Sequence, residues 1–350
     1  MLFRSLMRWA VVLAGGVGSR FWPLSTAERP KQLLPLAGDK PLLVDAIERV
    51  VPMIPAERIL IVTSRALADA VRRAAPMIPA ANVLAEPFAA STAPALAWAT
   101  AHAARHDPDA SILSLHADWT VADAAGFRAV ASAALALAES EDVLVTVGAK
   151  PDRPEIGYGY IVPGAKLGGG YRIARFVEKP TLDKAKELLA SGAVWNTGLF
   201  AWTAKRFKAE VAAHTPELAG AMAHFDAGDS EKAFAAAKPI SIDVGVYERT
   251  TRGAAVSAEF GWDDVGSWAT LTRVRARDDA GNVAVGDAHL VDSTDCVVWS
   301  EDGAIAVYGL SDVVVVRSRG ITLVTSSAKA AELKKLLDRL PAALVGERGA

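Results

Sequence analysis

Short apolar runs alternate with longer segments of helical period along the first 150 residues of the chain. The apolar runs, which we predict to be buried strands, cover residues 9–13, 59–62, 82–85, 111–115 and 143–147. The alanine-rich segments between them predict helices at residues 42–50, 67–75, 92–105 and 127–139. Strands that alternate with helices favour right-handed crossovers, so the pattern predicts an α/β fold with a mostly parallel, doubly wound sheet. Ligands of such sheets bind beyond the carboxyl ends of the strands.

The hydrophobic pattern changes after about residue 270. Short β-branched runs separated by Gly, Asp or Ser predict strands at residues 283–285, 289–291, 296–299, 304–308, 313–317 and 321–325, and a closing helix at 328–340. Asp, Asp, Gly and Asn cluster at residues 278–282 and mark a boundary. We therefore predict a catalytic domain at 1–279 and a small β-rich domain with a closing helix at 280–350. We expect the second domain to supply no catalytic residue.

Composition excludes several classes of protein. Hydrophobic residues make up 51% of the 350 residues, enough for a large core, and the formal net charge is -2. Proteins that bind nucleic acids usually carry an excess of basic residues, so we expect this chain to bind no nucleic acid. No run approaches the roughly 18 apolar residues of a membrane span. The single cysteine, Cys296, allows no internal disulfide, so we expect a cytoplasmic protein; the sequence leaves a homodimer open.

A glycine-rich loop follows the first predicted strand. It reads Leu13-Ala14-Gly15-Gly16-Val17-Gly18-Ser19-Arg20 and is followed by Pro30-Lys31. Glycines let backbone N–H groups approach phosphate oxygens, while Arg20 and Lys31 add the positive charge that a triphosphate requires. No Gly-Lys-Ser/Thr of a Walker A loop is present, and Phe21 stands where a dinucleotide fingerprint needs glycine. The loop therefore predicts phosphate binding and excludes a nicotinamide dehydrogenase.

Two aspartates are candidate metal ligands. Asp118 follows the predicted strand 111–115, and Asp264 lies in Trp262-Asp263-Asp264-Val265-Gly266-Ser267-Trp268. Mg²⁺ is commonly held by one or two protein carboxylates together with phosphate oxygens. Taken alone, each aspartate is equally typical of a turn or a helix cap.

The loop and the Pro-Lys pair resemble the signature of sugar-nucleotide pyrophosphorylases. The run from Gly18 to Ser25, with Pro30-Lys31-Gln32, is similar to short-form mannose-1-phosphate guanylyltransferases (GDP-mannose pyrophosphorylases). The resemblance extends from Val11 to about Leu337. It implies a Rossmann-like fold of the nucleotide-diphospho-sugar transferase type, with no fused isomerase domain. It also implies transfer of GMP from GTP to mannose 1-phosphate, which yields GDP-mannose and pyrophosphate.

The resemblance also implies roles for individual residues. Asp118 and Asp264 would hold Mg²⁺, or alternatively Mn²⁺, and act in catalysis with Arg20 and Lys31. Glu86 would accept hydrogen bonds from the two N–H donors of guanine. The nucleotide would contact Leu13, Gly15, Gly16, Gly18, Ser19, Glu86, Ser91 and Thr92, and the sugar phosphate would contact Gly159, Glu178, Lys179, Asn196 and Asp243. Capping of a following helix is an equal alternative for Ser91 or Thr92, and likewise for Asp243.

Four departures from the family pattern bear on the choice of base and sugar. His116 replaces a proline, Trp119 a histidine, Ala90 a basic residue and Ser91 an asparagine. These changes leave open a nucleotidyltransferase for another sugar 1-phosphate or another base. An alternative of a different class is a catalytically inactive, nucleotide-sugar-binding regulator. The intact Lys31, Asp118 and Asp264 argue against that alternative.

Overall fold

The computed structural model describes residues 7–16 and 18–345, and the chain forms two compact units. Unit 1 comprises Met1–Ala14, Ala46–Ala117 and Val121–Trp262, and unit 2 comprises Gly15–Asp45, Asp118–Thr120 and Asp263–Ala350. Each unit is therefore built from three separate stretches of the sequence. Within the described ranges, no helix is both long enough and apolar enough to cross a membrane.

The strands and helices follow one another in the order below. The strands are β1 (Arg8–Leu13), β2 (Ile59–Ser64), β3 (Val83–Glu86), β4 (Ser111–His116), β5 (Thr120–Val121), β6 (Leu144–Ala149), β7 (Tyr160–Leu167), β8 (Gly170–Val177), β9 (Val194–Thr203), β10 (Gly253–Ala258), β11 (Trp262–Asp263), β12 (Val283–Val285), β13 (Ala288–Val291), β14 (Val297–Ser300), β15 (Ile305–Tyr308), β16 (Val313–Ser318) and β17 (Ile321–Ser326). The helices are α1 (Leu42–Val50), α2 (Ala68–Ala74), α3 (Thr92–His106), α4 (Ala124–Glu141), α5 (Leu182–Ala190), α6 (Ala204–His214), α7 (Met222–Ala227), α8 (Ser230–Ala236), α9 (Leu271–Val274), α10 (Leu333–Leu337) and α11 (Ala342–Val345).

Unit 1 is built around a nine-stranded sheet with the order β3-β2-β1-β4-β9-β6-β10-β8-β7. The pairs β2–β3, β1–β2, β1–β4 and β6–β10 are parallel, whereas β9 lies antiparallel between β4 and β6. The predicted α/β fold class with a mostly parallel sheet is confirmed for these strands. The hairpin β7–β8 and the strand β9, which carry polar residues among their apolar ones, were not predicted.

Small side chains let a helix pack closely on the sheet of unit 1. Helix α3 buries alanines at 93, 95, 97, 99, 101 and 103 against the core that includes Val11, Leu60 and Ile112. Alanine has no long side chain to order, so an alanine-rich helix can approach a sheet closely at little entropic cost. This packing supports strands β1 and β2, beyond whose carboxyl ends the sequence analysis expects ligands.

The C-terminal part of unit 2 consists of short strands stacked in rungs. Val283 pairs with Val297, and Val297 with Val314, in parallel register, while β13 pairs with β15 in the same way. Side chains alternate between two cores, as expected for strands of period two. Val297 and Trp299 face one core, whereas Cys296 and Val298 face the other. The predicted C-terminal β-rich region is confirmed, and β17 closes its four-stranded sheet antiparallel to β16.

The larger core of unit 2 joins the segment after the glycine loop to these rungs. Phe21 and Trp299 each contact Trp268, with ring centroids 5.2 and 5.6 Å apart respectively. Trp268 is fully buried, and its indole N–H donates to the carbonyl oxygen of Trp22 over 3.1 Å. Leu333 and Leu337 of α10 complete the same core. The end of the chain thus packs against the region that follows the glycine loop.

Removal of the Trp268 side chain should strongly destabilise the protein. Trp268→Ala opens a cavity and leaves the carbonyl of Trp22 without its donor, so the free energy of unfolding should fall by about 3–5 kcal/mol. Tyr308→Ala is the control, since Tyr308 is 74% exposed and its loss should cost within about 0.5 kcal/mol. Urea unfolding followed by tryptophan fluorescence measures both. Equal costs for the two variants would contradict this role of Trp268.

Candidate active site

The carboxyl ends of the parallel strands lie along one edge of the sheet in unit 1. Leu13 at the end of β1 pairs in register with His116 at the end of β4, and Ser64 of β2 pairs with Glu86 of β3. The amide of Ala117 donates to the carbonyl of Leu13 over 2.9 Å. Leu13 and Glu86, both predicted nucleotide contacts, therefore lie on the edge where ligands of such sheets bind.

Glu86 is a half-buried carboxyl group at the end of β3. Burial raises its pKa to about 7, because the charged form loses hydration. Near neutral pH the group is therefore present in both its ionised and its neutral form. An ionised carboxylate only accepts hydrogen bonds, whereas the neutral acid also donates one, so the donors of a bound base would favour the ionised form.

Ser91 and Thr92 stand at the start of α3, but the hydroxyl of Ser91 does not cap the helix. Ser91 has a φ of 69°, a conformation that strains a residue other than glycine. The hydroxyl of Thr92 accepts a hydrogen bond from the amide of Ile242 over 2.9 Å. The capping alternative is therefore wrong for the Ser91 side chain, and Thr92 instead ties the helix to the residue that precedes Asp243.

Four of the predicted sugar contacts form one cluster in unit 1. The amide group of Asn196 donates to the carboxyl of Asp243 over 2.9 Å, and its oxygen accepts from the Thr146 hydroxyl over 2.7 Å. Gly159 lies so close that a Cβ there would be 2.7 Å from Glu178 Oε2 and 3.3 Å from Asn196 Cβ. Only glycine fits without moving the two side chains, so this cluster of donors and acceptors depends on Gly159.

Lys179 adds a positive charge beside this cluster. Its ammonium group lies 2.8 Å from Glu178 Oε1, and the side chain is largely exposed. The φ of Lys179 is 43°, and its amide donates to the carbonyl of Tyr158 over 3.2 Å. The carboxyl of Glu248 accepts from the amide of Glu178 over 2.9 Å, a supporting role for Glu248 that sequence reasoning did not identify. These contacts together hold the Glu178–Lys179 turn.

The carboxyl of Asp243 has a pKa raised to about 7. Burial is the main cause, and the neighbouring carboxylate of Glu178 adds to it because like charges repel. The hydrogen bond from Asn196 and the charge of Lys179 act in the opposite direction. Burial and the charge of Asp243 also raise the pKa of the Tyr247 hydroxyl well above its ordinary range. The cluster therefore contains a carboxyl whose protonation state changes near neutral pH.

Lys31 is the centre of the second group of predicted residues, all in unit 2. Its side chain is almost fully buried, and its ammonium group lies 3.1 Å from Asp118 Oδ2 and 2.7 Å from the carbonyl oxygen of Asp264. Gly18 permits this position, because a Cβ at Gly18 would lie 2.3 Å from Lys31 Cβ and its φ is 66°. Lys31, Asp118 and Asp264 are thus brought together around one ammonium group.

The segment after Asp264 holds the carboxylate of that residue in place. Val265 has a φ of 48°, which is rare for a β-branched residue, and its amide donates to Asp263 Oδ1 over 2.8 Å. A Cβ at Gly266 would lie 2.7 Å from Asp264 Oδ2. The backbone therefore forms a cradle for the Asp264 carboxylate.

Two carboxylates on one cleft suit Mg²⁺, which takes its remaining ligands from phosphate and water. Among the described residues no cluster of three or more His, Cys, Asp or Glu could hold a metal alone.

These residues line a cleft of about 580 Å³ within unit 2. Arg20 lines it too and is exposed, and the predicted Gly15 and Gly16 are also exposed. Among the residues that the structure describes, the lining is Gly18, Ser19, Arg20, Phe21, Lys31, Asp118, Trp119, Asp264, Gly266, Ala331, Glu332, Lys334, Lys335 and Asp338. Sequence reasoning missed the last five. The spacing of 331, 334, 335 and 338 follows one face of a helix and is the signal that could have indicated them.

The departures from the family pattern occupy defined positions. A Cβ at Gly198 would lie 2.9 Å from the ring of His116, so glycine at 198 makes room for the histidine. Trp119 is buried and contributes to the cleft of unit 2. Ala90 is buried in the core of unit 1, where a basic side chain would be desolvated.

Family models and individual relatives of this chain indicate the same protein family. Residues 9–280 match the family model of nucleotidyl transferases, and residues 286–340 match that of the mannose-phosphate isomerase/GMP-like beta-helix domain. A relative from Escherichia coli K12, named mannose-1-phosphate guanylyltransferase, is 35% identical over 95% of this chain and 73% of its own length. A putative mannose-1-phosphate guanylyltransferase from Vibrio cholerae is 37% identical over 95% of this chain and 74% of its own length.

A solved structure has the same fold over nearly its full length. It is described as the mannose-1-phosphate geranyltransferase of Thermus thermophilus, and it is 36% identical with a TM-score of 0.89. The match covers 95% of this chain and 99% of the other. The predicted fold type is therefore confirmed by an independent structure.

Replacement of Asp243 by asparagine should make stability less dependent on pH. Because the pKa of Asp243 is raised in the folded state, the folded protein binds more protons than the unfolded chain between its ordinary pKa and about 7. The contribution of this carboxyl to the free energy of unfolding should therefore fall as pH rises through this window. Glu86 acts with the same sign, so Asp243→Asn should reduce the fall without abolishing it.

Urea unfolding at about pH 5 and about pH 8 measures this difference. Asp183→Asn, which changes an exposed aspartate of α5, should keep the wild-type dependence. An unchanged pH dependence in Asp243→Asn would refute a raised pKa of that carboxyl.

Proposed function

We propose that this chain, which belongs to the nucleotidyl transferase family and is similar to its mannose-1-phosphate guanylyltransferases, transfers GMP from GTP to mannose 1-phosphate. The products are GDP-mannose and pyrophosphate. One observation carries the proposal: Arg20, Lys31, Asp118 and Asp264 line a single cleft, with a buried ammonium group between the two aspartates. Relatives at 34–37% identity supply the choice of substrates through their names.

The reaction needs no activated protein nucleophile. The phosphate oxygen of mannose 1-phosphate is already anionic, and it attacks the α-phosphorus of GTP. The bond from the α-phosphorus to the bridging oxygen breaks, and pyrophosphate leaves with the electron pair of that bond. Catalysis of such a transfer consists mainly of positioning the reactants and stabilising negative charge. The cationic groups of the cleft therefore supply most of the catalytic effect.

The four residues of the cleft divide this task. Arg20 and Lys31 stabilise the negative charge that grows on the departing pyrophosphate, which raises kcat more than it strengthens ground-state binding. Asp118 and Asp264 would hold Mg²⁺ or Mn²⁺, and the ion would neutralise charge on the phosphate oxygens. The glycines of the loop offer backbone N–H groups to the phosphates. We propose that the catalytic groups named here lie in a domain of residues 1–279, with 280–350 as a β-rich domain.

Unit 1 carries the residues proposed for base and sugar. The carboxylate of Glu86 accepts hydrogen bonds from the two N–H donors of guanine. Ser91 and Thr92, a few residues later in the sequence, stand at the start of α3. Sugar hydroxyls both donate and accept hydrogen bonds, so the Glu178, Asn196 and Asp243 cluster suits them. Lys179 neutralises the phosphate of mannose 1-phosphate as a point charge.

The first test is the choice of base. Because Glu86 pairs with two donors of guanine, we expect kcat/KM to be higher for GTP than for ATP, UTP or dTTP. Glu86→Gln replaces one acceptor oxygen by an amide donor and should reduce the preference for GTP by roughly tenfold, a difference of about 1.4 kcal/mol. Release of pyrophosphate with each triphosphate measures this.

The outcomes separate the open alternatives. Equal or higher kcat/KM with UTP or dTTP would remove the guanine assignment and leave the reaction class intact. A protein that binds GTP but turns over no sugar 1-phosphate would favour the regulator.

The second test concerns the metal carboxylates. EDTA should abolish pyrophosphate release, and Mg²⁺ or Mn²⁺ should restore it. Asp264→Asn is the sharper variant, because Lys31 binds the carbonyl oxygen of Asp264 and keeps that contact when the carboxylate is lost. We expect kcat to fall by about 100-fold or more, which corresponds to about 3 kcal/mol.

The kcat of Asp118→Asn should fall at least as far as that of Asp264→Asn, since this substitution also removes the ion pair with Lys31. Asp287→Asn, which changes an exposed aspartate paired with His289 on β13, is the control and should keep wild-type turnover. A near-wild-type kcat in Asp264→Asn would remove that residue from the metal site.

A further inference from the structure

Helix α10 presents one face to the core of unit 2 and another to the catalytic cleft. Ala330, Leu333 and Leu337 are buried in the core that contains Phe21 and Trp268. Lys334 and Lys335, on another face of the same helix, line the cleft together with Asp338. The helix also contacts the turn Ser19–Phe21, which follows the glycine loop. The buried side chains of Ala330, Leu333 and Leu337 therefore fix this segment in position. Lys334 and Lys335 consequently lie on the same cleft as Arg20 and Lys31.

The two lysines differ in how they are engaged. Lys335 lies 3.0 Å from Glu332 Oε2, and the same oxygen also lies 3.2 Å from Lys329. The side chain of Lys334 is exposed, and its ammonium group has no hydrogen bond or ion pair with any residue in the described ranges. An exposed ammonium group on a cleft, without a protein partner, is available to an anionic ligand.

The charges of the cleft indicate which ligand fits. Arg20, Lys31, Lys334 and Lys335 are its cations, and Asp118, Asp264, Glu332 and Asp338 are its anions. The formal charge of the lining is therefore near zero. If the two aspartates bind a divalent ion, the lining gains two positive charges, and the lysines of α10 add to a field that favours a ligand of several negative charges.

We propose that Lys334 and Lys335 bind the pyrophosphoryl part of the nucleoside triphosphate, and hence the pyrophosphate product. The inference rests on the proposed nucleotidyl transfer and extends it, because it assigns a substrate-binding role to the β-rich domain. Lys334 contacts the phosphate oxygens directly as a point charge. Lys335 exchanges the carboxylate of Glu332 for a phosphate oxygen, while Lys329 remains paired with Glu332.

The test compares three variants of the full chain. Lys334→Ala/Lys335→Ala removes both charges, Lys334→Arg/Lys335→Arg retains them, and Lys329→Ala is the matched control. Lys329 pairs with the same glutamate but does not line the catalytic cleft. The measurements are KM for GTP and mannose 1-phosphate in the forward direction, KM for pyrophosphate and GDP-mannose in reverse, and calorimetric binding of magnesium pyrophosphate.

The double alanine variant should raise KM for GTP and pyrophosphate, and Kd for pyrophosphate, by about tenfold or more, because two charge-assisted contacts are lost. KM for mannose 1-phosphate should change less than about twofold, since only the triphosphate meets these lysines. The arginine pair should recover most of the affinity, and Lys329→Ala should resemble the wild type. Thermal unfolding verifies that each variant is folded.

Three results would overturn the inference: unchanged pyrophosphate affinity in the double alanine variant, an equal loss in Lys329→Ala, or an equal rise in KM for mannose 1-phosphate. Failure of the proposed function gives a different result, the absence of wild-type turnover with any sugar 1-phosphate. The calorimetric comparison still decides the role of the lysines in that case, since it requires no turnover.

Discussion

The hydrogen bonds of one ammonium group hold the catalytic cleft together. Lys31 is almost buried, and a buried cation is stable only where charged or polar groups replace its hydration. The carboxylate of Asp118 and the carbonyl of Asp264 do so, and they come from two other stretches of the chain. Gly18 leaves the space that the lysine occupies. The carboxylates, the loop and the backbone cradle at Gly266 are all positioned relative to this one contact.

The two groups of site residues handle charge in different ways. Around Lys31, acidic and basic side chains line the cleft in equal number, so the formal charge of the lining is near zero. Around Asp243, two acids lie close together, and burial combines with their repulsion to raise the pKa of one of them. The first arrangement suits phosphates, whose charge must be balanced, and the second suits uncharged hydroxyl groups, which can donate to the anion and can both donate to and accept from the neutral acid.

Local signals in the sequence were sufficient for much of the fold and part of the site. The parallel strands β1, β2 and β3 contain uninterrupted apolar runs and β4 is interrupted only by Ser114, and such runs indicate buried strands whatever surrounds them. Strand β9 was missed because Asn196 and Gly198 interrupt its apolar pattern. The helical spacing of Lys334 is visible in the sequence, but its place on the cleft is not, since that depends on packing between Leu333 and aromatic residues far earlier in the chain, such as Phe21. The positive φ of Ser91 is likewise a product of tertiary structure, because nothing in its own side chain favours it.

The composite construction of unit 2 has a consequence for the order of events on the ribosome. The glycine loop and Lys31 are synthesised well before the residues they pack with, because Asp264 follows Lys31 by 233 positions and Leu337 comes later still. N-terminal regions generally begin to fold during synthesis. Here the strands of unit 1 can pair early, while the residues from 15 to 45 must wait for the rungs and α10 to emerge. A chain that has been synthesised only as far as the rungs therefore carries every residue of the glycine loop without the complete core, and the cleft forms only after Leu337 has been added.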